Sequence, residues 1–172
     1  MAYGVVRTDN MYATDVRGGG LVSVLYAPSN TPTAIENGNV VLLNGLKTGE
    51  REITMGVTPA ANSALKDIVL IATPEVMYCQ CKRRLDEFIN EAGRISRGYH
   101  LHVNDIFSVT ADCLTLGKNG EDAEIEVGDV VELAASTKLN VVDSLTSNST
   151  QVGKVIEIAK HGVYTYYAIQ VG

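Results

Sequence analysis

The sequence predicts a mainly β protein: a small β-barrel or β-sandwich with one short α-helix and an extended N-terminal arm. Short continuous apolar runs at residues 40–43 and 68–72 have the length and composition of strands buried on both faces. A turn-then-strand unit also recurs, Ile35-Glu36-Asn37-Gly38-Asn39-Val40-Val41-Leu42-Leu43 being echoed by Ile125-Glu126-Val127-Gly128-Asp129-Val130-Val131-Glu132-Leu133. Looser versions precede Ile68 (Lys66-Asp67) and Ile106 (Asn104-Asp105). No fixed period repeats often enough for a solenoid, whereas turn-and-strand units at wide spacing suit a small barrel or sandwich. Helical spacing, finally, is confined to one segment.

Taken in order, residues 1–14 mix polar, aromatic and apolar side chains without a helical or alternating period. Gly18-Gly19-Gly20 then breaks the chain, and the apolar stretch 21–26 ends at Pro28, Asn30 and Pro32. This predicts an arm, a glycine hinge and a first strand over residues 1–30, followed by a single β-rich domain over 31–172. Between residues 82 and 92, Leu85, Phe88, Ile89 and Ala92 recur at three- and four-residue spacing, with Gly93 as a natural stop. That pattern predicts the helix, its exposed face pairing Lys82 with Asp86 and Arg83 with Glu87. Ala123, Ile125 and Val127 alternate with Glu124 and Glu126, as in a half-exposed strand. At the C-terminus, residues 152–159 and 163–171 predict a hairpin joined across Lys160-His161-Gly162. Val163, Thr165, Tyr167, Ile169 and Val171 fall on one face of its second strand, and Tyr164, Tyr166 and Gln170 on the other.

Composition bounds the function. The chain has 172 residues, enough for one domain with a sizeable core and no need of disulfides or a structural metal. A net charge of −6 argues against general nucleic-acid coating, which relies on dense Lys and Arg. Most of the negative charge lies in residues 104–172, with ten acidic residues against four lysines. Residues 81–103 form a basic patch around Lys82, Arg83, Arg84, Arg94 and Arg97. No apolar run approaches the roughly 20 residues of a membrane span, and the N-terminus lacks the apolar stretch of a secretory signal. Three cysteines are too few for a disulfide scaffold, so a reducing compartment is expected.

The motifs that could carry catalysis or metal binding are weak. Cys79-Gln80-Cys81 with His100-Leu101-His102 offers the ligand types of a zinc site, but the Cys spacer of two to four residues is missing. Cys113 has no activating neighbour, Asp112 would raise its pKa, and it reads as a small core residue beside Leu114. No Gly-x-Ser-x-Gly elbow is present. The three consecutive glycines precede a β-like run rather than the helix that a phosphate cradle needs. No cofactor is therefore expected. Eight tyrosines and no tryptophan suit a protein interface, where Tyr buries area at low entropic cost.

Three stretches resemble the small head proteins of tailed bacteriophages known as decoration, cement or auxiliary capsid proteins. They are Tyr3-Gly4-Val5-Val6-Arg7-Thr8-Asp9-Asn10-Met11; Leu85-Asp86-Glu87-Phe88-Ile89-Asn90-Glu91-Ala92-Gly93 with Arg97-Gly98-Tyr99; and Gly162-Val163-Tyr164-Thr165-Tyr166-Tyr167. The resemblance implies a non-enzymatic virion protein, made in the host bacterial cytoplasm and bound to the outside of the shell. Its expected partner is the major capsid protein, with self-association as a homo-oligomer, a trimer included, as a further option. Neither nucleic acid nor membrane is expected as a partner. Tyr3, Val5, Val6, Arg7, Met11, Tyr12, Tyr164 and Tyr166 are the expected capsid-binding residues. Another virion part (a head-fibre base, connector or tail-tube component) is the alternative, and a metal-binding protein or hydrolase built on Cys79, Cys81, His100 and His102 is the more distant one.

Overall fold

The computed structural model describes residues 2–11, 20–77, 82, 84–118 and 123–172. Among the described residues, eleven strands form two sheets. In the first, β1 (Leu21–Tyr26), β2 (Val40–Leu46), β3 (Ile53–Val57), β4 (Ile68–Ile71) and β5 (Ser96–His100) close into a barrel of order β1-β3-β2-β4-β5. Its only parallel pair is β1 with β3. The second sheet contains β6 (Ile106–Val109), β7 (Leu114–Leu116), β8 (Val130–Glu132), β9 (Leu139–Val142), β10 (Gln151–His161) and β11 (Tyr164–Val171), in the order β6-β11-β10-β8-β9-β7.

The second sheet repeats the first with one strand broken. In the barrel, β1 pairs antiparallel with β5 through its first half and parallel with β3 through its second. In the second sheet β6 pairs antiparallel with β11, β7 pairs parallel with β9, and a 3-10 turn at Ala111–Cys113 separates β6 from β7. Then β8, β9, β10 and β11 stand in the order of β2, β3, β4 and β5. The two units match locally as well, since Ala27 N–H donates to Gly56 O where Gly117 N–H donates to Val141 O.

The sequence echo lies at matching places in the two units. Gly38 N–H donates to Ile71 O, and Ile71 N–H donates back to Asn39 O. Gly128 and Asp129 hold Val155 in the same way, and Asn104 and Asp105 hold Val171. Each turn needs a residue with positive φ, supplied by Gly38 at 81°, Gly128 at 102° and Asn104 at 74°. Asp129 and Asp105 add a side-chain clasp, accepting from the N–H groups of Glu126 (2.7 Å) and His102 (2.9 Å).

The apolar runs are buried on both faces, as their composition predicts. Val41, Val69 and Ile71 fill the barrel with Val24, Tyr26 and Ile35. Their alternates Val40, Ile68 and Leu70 face outward into a second core, against Phe107, Leu133, Leu139 and Ile169 of the second sheet. This core joins the two units, and the backbone bonds Val40 N–H to Thr137 O and Thr150 N–H to Ala61 O cross between them.

Three expected elements differ. Within the segment expected to be helical, one 3-10 turn spans Leu85–Glu87, flanked by extended Arg84 and Phe88. Its backbone is used elsewhere: Asn90 exchanges two hydrogen bonds with Ile35, and Asp86 O accepts from Tyr3 N–H. An isolated helix of about a dozen residues is marginal, so these pairings prevail. Leu85 is consequently exposed, while Phe88 and Ile89 are only half-buried. Residues 123–126 form no strand, and Val127 is exposed in the turn before β8. Finally, the part of the N-terminal arm that is described, residues 2–11, lies on the body, with Val5 1% and Val6 2% exposed. Most of the glycine hinge lies outside the described residues.

The matched turns allow a controlled comparison. A Cβ on Gly38 would collide with Cys113 Sγ, whereas a Cβ on Gly128 would enter open space. Gly128→Ala is expected to cost only backbone strain, about 1–2 kcal/mol. Gly38→Ala should cost clearly more, by at least about another 1 kcal/mol from overpacking. Urea denaturation measures both, and equal losses would mean that the Cys113 contact relaxes freely.

Candidate functional site

The residues singled out from sequence converge, but they meet one another. β6 is an edge strand of the second sheet, and unpaired edges invite association. Here the N-terminal segment covers it: Val6 bridges Val109, Arg7 N–H donates to Ser108 O, and Thr110 N–H donates to Val5 O. The same segment reaches the first unit, through Gly4 N–H to Glu36 Oε2 at 3.0 Å and Tyr3 N–H to Asp86 O. It therefore ties the barrel to the second sheet.

Beside it lies an aromatic and ionic cluster. Tyr164 and Tyr166 share a face of β11, their rings edge-to-face at 6.1 Å. The Arg7 guanidinium sits 5.7 Å from the Tyr166 ring centre, and this cover buries Tyr166. Arg7 also pairs with Asp9 at 2.9 Å, and hydrogen bonding to Arg7 holds the Asp9 carboxyl below its usual range. Tyr164 donates its hydroxyl to Asp86 Oδ1 at 3.1 Å, and Arg84 pairs with Asp86 at 2.8 Å. Of the expected contact residues, Val5, Val6 and Tyr166 are thus internal, and Tyr3, Arg7, Met11 and Tyr164 are half-buried at the surface. Tyr12 lies outside the described residues.

Beneath this segment sits Cys113. Its thiol is 3.5 Å from Asn37 O and 3.6 Å from Val5 O, and Gly4 and Gly38 pack directly against it. Burial pushes its pKa up to about 12, which leaves a protonated core residue rather than a nucleophile. Cys79 and Cys81 lie outside the described residues. His100 and His102 stand with rings 6.4 Å apart, and His102 lies 3.6 Å from Asp105. Among the described residues no three His, Cys, Asp or Glu side chains converge as a metal site.

Other polar and charged groups are also engaged. Lys118 bridges Asp129 at 2.8 Å and Asp143 at 3.0 Å, and the hydrogen bond to Asp129 is the main cause of its raised pKa. Buried Glu132 accepts from Asn140 Nδ2, Thr146 N–H and Thr146 Oγ1. Asn37 links the turn to the 72–91 segment, donating to Thr73 O and Glu75 Oε1 while accepting from Asn90 Nδ2. No protein-family model, curated protein sequence or solved structure matches this chain.

Two expectations follow. Removing residues 2–7 withdraws two buried valines and should lower stability by about 3–6 kcal/mol in urea unfolding; a loss under about 1 kcal/mol would mean that the segment is only an appendage. Glu75 tests the charge balance. Burial, the largest effect on it, raises its pKa, so the folded state favours the protonated form. Its contribution is therefore complete below the ordinary carboxylate pKa and is lost as pH rises through the raised value. Glu75→Gln should flatten this part of the stability–pH curve, and an unchanged slope would assign the trend to other groups.

Proposed function

We propose that the chain is a structural protein of a tailed-bacteriophage head, docking on the outside of the major capsid protein shell and stabilising it. The observation that supports this reading is the meeting of the three stretches that carry the resemblance. Tyr3 bonds the Asp86 backbone, Asp86 accepts from Tyr164, and Arg7 covers Tyr166, although these residues are far apart in sequence. The face they form exposes parts of Tyr3, Arg7 and Tyr164, with Asp9 and Arg84 more open.

Such a face suits a clamp. It is built by mutual hydrogen bonds and ion pairs, so little ordering entropy is lost on docking. Many identical shell sites, or a homo-oligomer gripping neighbouring subunits, would multiply a modest affinity through avidity. In this reading Val5, Val6 and Tyr166 shape the face from within, and Tyr3, Arg7 and Tyr164 meet the shell.

The test is co-sedimentation of the purified chain with shells assembled without it, followed by reconstruction of the particles. Arg84→Glu should weaken attachment at least about tenfold. Its melting temperature should fall only modestly, because the Arg84 side chain is itself exposed and buried Asp86 keeps its hydrogen bond from Tyr164. Attachment should depend weakly on salt, since Arg7 and Arg84 already have acidic partners in their own chain. Absence of binding would overturn the proposal, and density confined to one vertex or the tail would favour the other virion parts.

A further inference from the structure

The two units differ in what closes them. In the barrel, residues 72–95 connect β4 to β5, and of these 72–77, 82 and 84–95 are described. Within it Asn90 pairs with Ile35 through two backbone hydrogen bonds of 2.9 and 3.0 Å and adds a third from its side chain. Ile35 is thereby only 4% exposed, and neighbouring Tyr26, whose carbonyl accepts from Thr33 N–H, is also buried.

In the second unit the matching connection, from β10 to β11, is the two-residue turn Gly162-Val163. The residues that match Tyr26 and Ile35 are Leu116 and Ile125, and no described residue pairs with the Ile125 backbone as Asn90 pairs with Ile35. Leu116 is 40% and Ile158 is 37% exposed, while Ile125 and Tyr167 are half-buried. Together with Leu114 they line an open groove of about 450 Å³. Beside it β7 ends the second sheet, beyond its pairing with β9. Tyr167 points from β11 to the side opposite Tyr166, so the groove is separate from the N-terminal face.

We infer that this groove receives an extended segment of a partner protein, apolar at alternate positions and basic at its flanks, in the manner in which residues 88–91 cover Ile35. Strand addition of this kind takes affinity from backbone pairing and specificity from pockets for alternate side chains. The basic flanks follow from the rim. Glu124 lines the groove, and Asp112 and Glu126 are exposed neighbours in sequence of the lining residues, while Lys160, on the same face of β10 as Ile158, is a nearby base and Glu157 faces the opposite side. A second copy of this chain, at net charge −6, is electrostatically the poorer occupant. The inference does not rest on the partner being a capsid shell, and its test contains no shell.

Displayed random peptides of about ten residues, selected on the folded full chain, are the probe. Enriched peptides should alternate Val, Ile, Leu or Tyr with polar residues and carry Lys or Arg at their ends. Their synthetic versions should bind at least about tenfold more weakly to Ile158→Lys, and be unaffected by Val163→Lys at the exposed hairpin tip. If Ile158→Lys fails to fold, Ile158→Thr should still weaken binding measurably. Bound peptide should slow amide exchange at residues 114–116 and 123–126, and added salt should weaken it. Lack of enrichment, or binding indifferent to both Ile158 variants, would overturn the inference. So would self-association abolished by Ile158→Lys, which would assign the groove to a second copy.

Discussion

Burial of β4, and of the start of β2 at Val40 and Val41, on both faces is the constraint from which the rest of the architecture follows. Val41, Val69 and Ile71 fill the barrel, while Val40, Ile68 and Leu70 form one wall of the core shared with the second sheet. Neither sheet can move away without exposing those outward residues to water. Inside the barrel the space is narrow: a Cβ on Gly56 or Gly98 would press on Val24, so the interior is filled by valines facing glycines. The two units therefore behave as one packed body although each has its own sheet.

The second unit shows what a break in one strand does. The 3-10 turn at Ala111–Cys113 divides the equivalent of β1 and leaves β6 as an edge. The N-terminal segment covers this edge, and the buried Cys113 lies at the seam, beside Val5, Asn37, Gly4 and Gly38. The cysteine that the sequence marks as a small core residue is thus also a joint between three distant segments. Among the described residues, none pairs with Ile125 beside the Leu116–Ile158 groove, where Asn90 pairs with Ile35 in the barrel.

Much of the fold was legible in local sequence. The apolar runs marked β2 and β4 because strands without a wet face need no polar alternates. The echo at Asn37-Gly38 and Val127-Gly128 marked equivalent turns because positive φ limits the residues that fit. The pairing of Tyr164 with Tyr166 on one face followed from the two-residue period of a strand. The N-terminal segment and the region around residues 82–92 were not legible in this way. Their backbone groups bond to residues far away in sequence, Arg7 to Ser108 and Asn90 to Ile35, and no local period encodes such partners. Helical spacing at Leu85, Phe88 and Ile89 describes what that stretch could do alone, and tertiary pairing outweighed it.

The candidate site divides along the same line. Tyr3, Arg7, Tyr164 and Tyr166 could be selected as interface material from residue type alone, because aromatic and arginine side chains suit protein contacts. Arg84 and Asp86 stand out in the sequence as members of a charged stretch, but their pairing with each other and with Tyr164, and the partners of Asn90 and Glu75, carried no local signal, because an acid or amide reveals its partner only once the chain has folded. What the sequence by itself determined was a mainly β character, several turn positions and a net acidic charge balance, all set by short-range sterics and composition. Which tyrosine is covered, which sheet edge is capped and which apolar groove stays open were decided only by tertiary structure, because each depends on long-range backbone pairing between segments that the linear order keeps apart.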